Sequence, residues 1–154
     1  MSHEIVRAVA SSSDPAVVAA VTAVQGSAPR HLGSMMLFRE DGTSLGTVGG
    51  GKVELEAAAA ALGAFATRSS LGIEVEMVGA EATGSAPICG GRVGLTLEYV
   101  EAGSAASVVY AAAADALARG KKAVIAAKSL GPGASVAGGC ALAALGETGE
   151  PLEA

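Results

Sequence analysis

The chain has 154 residues, 51% of them apolar, and a formal net charge of −5, a length and composition that give one compact domain with a single core. Ten basic residues spread thinly along the sequence and an aromatic share of 3% supply neither a stripe to neutralise a phosphate backbone nor a base-stacking platform, so nucleic acid is not an expected partner. No apolar run approaches the roughly 20 residues that span a bilayer, and the start lacks the regions of a signal peptide, so no membrane association and a cytoplasmic location are expected.

The apolar residues are mostly alanine and valine, with no Trp, two Tyr and two Phe, so the interior must close by tight approach of small side chains. Residues 3–12 carry a short helical pattern, ended by Ser11, Ser12, Ser13, Asp14 and Pro15. Asp14-Pro15 is also a good helix start, but the β-branched Val17, Val18, Val21, Thr22 and Val24 select a buried strand from Val17 to Val24. Met35 to Arg39 and Leu45 to Val48 flank the turn-forming Glu40, Asp41, Gly42 and Thr43 and predict a hairpin.

After Gly49, Gly50 and Gly51 the period changes, and Leu55, Ala58, Leu62, Phe65 and Ala66 fall on one face of a helix over 53–67. Ile73, Val75 and Met77 alternate with glutamates, and Val93, Leu95, Leu97 and Tyr99 alternate with Gly94, Thr96 and Glu98, which predicts two half-buried strands. The connection from Gly79 to Arg92 is longer than a hairpin loop and is expected to be functional or mobile. A helix near Ser107–Ala118, a strand near Lys122–Ala127, a glycine-rich loop and a strand near Cys140–Leu145 form a β-α-β continuation over about 104–146, and 146–154 carries turn and acidic residues only. The expected architecture is α/β: a single mixed-sheet domain over 1–154, with about five to seven strands covered by two main helices, and homodimeric given so small a core.

Three glycine-centred segments sit at strand ends: Gly26-Ser27-Ala28-Pro29-Arg30, Gly46 to Glu54 (GTVGGGKVE) and Ile88-Cys89-Gly90-Gly91-Arg92. Glycines there let the backbone take positive φ and approach a ligand, while the N–H groups opening the 53–67 helix point toward an anion. Arg30 and Arg92 offer forked donors to a phosphate or a pterin edge. Any one cluster is more often a simple turn than a site, and a shared site requires the three to converge at one edge of the sheet. Glu54, directly after the triple glycine, either faces a ligand or caps the helix, whereas Glu56 reads as a helix-start carboxylate and His31 as a solvated loop residue.

Cys89 and Cys140 are 51 residues apart, too few for a disulfide framework and wrongly spaced for a zinc knuckle. With His3 and His31 the only histidines, a site made of protein ligands alone would have to be assembled from scattered pieces. Cys89, flanked by glycines, is a soft thiolate able to reach a metal or take part in sulfur transfer, or else a buried inert thiol. Cys140, beside Ala141 and Leu142, reads as an inert core thiol. Gly46 to Lys52 also has the spacing of a phosphate loop, but Val53 cannot supply the Mg²⁺-binding hydroxyl.

TAVQGSAPR (Thr22–Arg30), GTVGGGKVE (Gly46–Glu54) and Cys89-Gly90-Gly91-Arg92, in this order, resemble the XdhC/CoxI-type accessory proteins of xanthine dehydrogenase and carbon monoxide dehydrogenase maturation, over about residues 17–100. The resemblance implies a maturation factor more than an enzyme, one that binds molybdenum cofactor (molybdopterin) as cargo and assists its sulfuration or insertion into a molybdoenzyme of either type. A cysteine desulfurase is an implied possible partner. Cys89 would correspond to the cofactor-binding cysteine, as metal ligand or sulfur carrier, with Gly26, Ser27, Arg30, Gly49, Gly50, Gly51, Glu54, Gly90, Gly91 and Arg92 around the cofactor. Longer members continue into a dinucleotide-binding domain, but no Gly-x-Gly-x-x-Gly fingerprint follows a strand here, so NAD is not expected. The alternatives are a Mg-nucleotide-binding protein using Gly46 to Lys52 and a non-catalytic partner-binding subunit whose glycines serve only turns.

Overall fold

The computed structural model describes residues 2–26, 31–77 and 91–153. Among these residues three helices and eight strands follow in the order α1 (Ser2–Ala10), β1 (Ala16–Gln25), β2 (Met35–Arg39), β3 (Ser44–Gly46), α2 (Gly51–Thr67), β4 (Ser69–Met77), β5 (Gly91–Val100), α3 (Ala105–Ala118), β6 (Val124–Ala127), β7 (Ser135–Ala137) and β8 (Ala141–Leu145). Six strands form one open sheet in the order β3-β2-β1-β5-β4-β7, and β6 pairs with β8 in a separate ribbon. The ladders between these strands are antiparallel. The α/β class, the six-stranded main sheet and the two long helices agree with the sequence reading. The segment after β5 keeps the order strand, helix, strand, but β6 leaves the main sheet, so no crossover unit forms. β7 lies inside the stretch read as a glycine-rich loop.

Gly46 shows why the β2–β3 hairpin needs glycine at its exit. Its φ is 91°, and a Cβ there would come within 2.6 Å of the Met35 carbonyl oxygen and 2.8 Å of Ile5 Cδ1. The close seat of α1 on the hairpin depends on that missing methyl group.

Alternation along the central strands separates two cores. Val17, Ala19 and Val21 of β1 and Val93, Leu95, Leu97 and Tyr99 of β5 face α2. Ala16 and Val18 of β1 and Val100 of β5 face α1, α3 and the β6–β8 ribbon. β5 was expected to be half-buried, but Thr96 and Glu98 are each only 5% exposed. The second layer covers the face on which they lie.

The helix over 53–67 is confirmed and starts two residues earlier, but its buried face differs from the expected one. Val53, Ala57, Ala61 and Ala64 are buried, while Leu55 and Leu62 are 74% and 70% exposed. Small side chains hold most of the inner positions, which lets α2 lie directly over β4, β5 and β1. Phe65, half-buried, meets Tyr99 edge to face with ring centroids 6.3 Å apart. Among the described residues no helix is long and apolar enough to cross a membrane.

Candidate functional site

One end of the main sheet gathers the described parts of all three glycine segments. Gln25, the last residue of β1, pairs with Arg92 of β5, and Gly26 follows with φ 71°. On the other side of β5, Glu76 of β4 pairs with Arg92 and Met77 with Gly91. Lys52 Nζ donates to the Glu76 carbonyl oxygen at 2.9 Å, which ties the first turn of α2 to this same end. Ser27, Arg30, Cys89 and Gly90 lie outside the described residues. Gly91 and Arg92, read from sequence as the end of a loop, are the opening residues of β5.

Gly49, Gly50 and Gly51 have φ of 143°, 76° and 50°, conformations that L side chains rarely adopt. At Gly50 and Gly51 an added Cβ would meet nothing within 4 Å, so the turn is open to an approaching ligand. Glu54 is turned back onto this turn. Its carboxylate accepts from the Gly50 N–H at 3.0 Å and from the Thr47 hydroxyl, whose oxygen accepts from the Gly49 N–H at 3.3 Å. That bracing takes up a donor at the helix start and sets a negative charge against it.

The same geometry weighs against the phosphate-loop alternative. Lys52 is directed to a sheet carbonyl rather than over the turn, Val53 is buried, and a triphosphate would meet the Glu54 carboxylate. Arg92 is exposed and bonded to Glu76 at 2.8 Å, with Glu74 at 3.8 Å. Exposed pairs of this kind contribute about 0–1 kcal/mol, so Arg92 can exchange Glu76 for an incoming anion at small cost. No cluster of three or more His, Cys, Asp or Glu suited to a metal occurs among the described residues.

A second polar cluster on the opposite face escaped the sequence reading. Glu98 Oε1 accepts from the Cys140 N–H at 2.6 Å and from the Ala141 N–H, and Oε2 accepts from the Tyr110 hydroxyl at 2.8 Å. Burial, then the Glu98 charge, pushes the Tyr110 hydroxyl well above its ordinary range. Cys140 is buried, and burial raises its thiol as well. A signal for this cluster was present: α3 is apolar on nearly every side, so it needed a second sheet face to cover.

The model of the XdhC and CoxI family matches residues 9–75. That span includes the end of β1 and the glycine turn before α2, and it stops short of Cys89–Arg92. No curated protein matches the sequence. Among solved structures, the chain is similar to one described as a xanthine dehydrogenase from Bacillus halodurans, with a TM-score of 0.69 and 26% identity. The likeness covers 94% of this chain and 41% of that one, so the chain spans well under half of its neighbour's length. Residues 9–75, with the turn that opens α2, are thus the part of the chain that is similar to the XdhC and CoxI family.

Proposed function

We propose that this protein is an accessory factor that binds molybdenum cofactor at the glycine-lined end of the sheet and assists its sulfuration or insertion into a molybdoenzyme. The acceptor is of the xanthine dehydrogenase or carbon monoxide dehydrogenase type, and a cysteine desulfurase is the sulfur donor where sulfuration occurs. The observation that carries this reading is the Lys52–Glu76 bond, which holds the family's glycine turn beside Gly26, Gly91 and Arg92. The family match over 9–75 supports an accessory role related to xanthine dehydrogenase.

In this reading the backbone at Gly26, Ser27, Gly49, Gly50, Gly51, Gly90 and Gly91 approaches the pterin, and Arg30 and Arg92 meet its anionic groups. Cys89 meets the metal or its sulfur, and Glu54 holds the turn in shape. Exposed Leu55 and Leu62, one above the other on α2, provide an apolar face toward the acceptor or a second copy.

The test is anaerobic equilibrium binding of molybdenum cofactor to the wild type, Cys89→Ala and Gly50→Val, with unfolding curves as controls. Wild-type binding that both folded variants lose is the expected result. Absence of wild-type binding overturns the reading.

A further inference from the structure

The face of the sheet opposite α2 holds a partly open cavity of about 370 Å³, lined by residues of β1, β5, α1, α3 and β6. Its walls are largely apolar, with Val6, Val18, Met35, Ala113, Leu117 and Ile125 prominent. At its floor lie Glu98, Tyr110 and Cys140. We propose that this cavity binds a small organic cation, a primary amine or amidine on a compact apolar body, with its head on Glu98.

The argument starts from charge. Glu98 is 5% exposed, and the three groups that donate to it are neutral: two backbone N–H groups and a phenol. None of the ion pairs among the described residues involves it. Buried carboxylates ordinarily sit opposite a cation, because neutral donors alone offset only part of the desolvation cost. An ionised carboxylate accepts about four hydrogen bonds. With Oε1 accepting two and Oε2 one, an acceptor position on Oε2 is left for a ligand.

The surroundings are shaped around that carboxylate. A Cβ on Gly139 would fall 3.0 Å from Glu98 Oε1 and 2.4 Å from Ala106 Cβ, so glycine makes the room in which Glu98 lies. Apolar walls with one charged group at the floor are the usual form of a small-ligand site. The cationic lining side chain, Lys128, is exposed, as is His3, and both line the mouth. This site is separate from the glycine-lined end and stands whether or not that end binds molybdenum cofactor.

The experiment is calorimetric titration of the full chain with three probes of one shape: benzylamine, benzyl alcohol and benzoate. Benzylamine is expected to bind saturably and roughly tenfold or more tighter than benzyl alcohol. Glu98→Gln brings the amine down to the alcohol. Ala20→Leu, which fills the cavity from β1 and leaves the carboxylate alone, weakens the amine by at least a similar factor. Lys128→Met leaves amine binding unchanged or tighter. Equal affinity for amine and alcohol overturns the proposal. So do amine binding that survives Ala20→Leu, preferential benzoate binding lost in Lys128→Met, and the absence of saturable binding.

Discussion

Tyr110→Phe isolates one hydrogen bond in the buried cluster. The substitution keeps the ring, which is 2% exposed, and removes the hydroxyl that donates to Glu98 Oε2 at 2.8 Å. A hydrogen bond to a charged group contributes about 1.5–3 kcal/mol, and since Oε1 keeps both of its donors we expect a loss of about 2 kcal/mol. For a chain of this size that corresponds to a fall in Tm of roughly 4–8 °C. The assay is urea unfolding of both proteins at neutral pH, followed by the same comparison in alkali. The folded state holds the Tyr110 proton well above its ordinary value of 10.0. A pKa raised on folding gives stability that is complete below the unfolded value and is lost as pH rises toward the folded one. Above pH 10.0 the wild type therefore loses stability that Tyr110→Phe never had, and the gap between them narrows. A gap under about 0.5 kcal/mol at neutral pH, or one that widens in alkali, refutes the account.

Gly72→Ala places a Cβ 2.2 Å from the Gly131 carbonyl oxygen and 2.4 Å from that of Leu130. Backbone cannot rotate away, so a loss of about 1–3 kcal/mol or more is expected in urea unfolding. Glu76→Gln weakens the hold on Arg92, so phosphate binding at the sheet end, followed by NMR titration, should tighten with stability changed by no more than about 0.5 kcal/mol. Leu55→Lys with Leu62→Lys should leave the unfolding free energy unchanged within the same roughly 0.5 kcal/mol, because both side chains are exposed, as checked by urea unfolding.

Most elements were legible because their signals are local. β-branched residues marked β1, the Glu40–Thr43 turn marked the hairpin, and the triple glycine marked the start of α2. The buried side of α2 was not legible, since reading by hydrophobicity favours Leu55 and Leu62, whereas packing distance decides for Ala57, Ala61 and Ala64. β7 is three residues, Ser135–Ala137, and exists only through pairing with β4, so no local pattern announces it. Of the candidate site, the glycine positions were legible and their convergence was not, because it depends on strand register and on the Lys52 contact with a backbone carbonyl. Glu98 was misplaced for a related reason: alternation shows which face a residue joins but not whether a second layer covers that face.

The alanine contacts of α2 have a consequence at a distance. On the helix side of this contact Ala57, Ala61 and Ala64 present only methyl groups to a sheet face that includes Val17, Leu95 and Leu97, so the helix has no side chain there that can turn aside. Phe65 against Tyr99 anchors one end of the rod, and the turn at Gly49–Gly51 rides on the other. A larger residue at Ala57 or Ala61 would act as a wedge, tipping the rod about its aromatic end and lifting the turn from Glu76 and Arg92. The height of the glycine turn above the sheet is thus governed by some of the smallest side chains in the protein, none of which it touches.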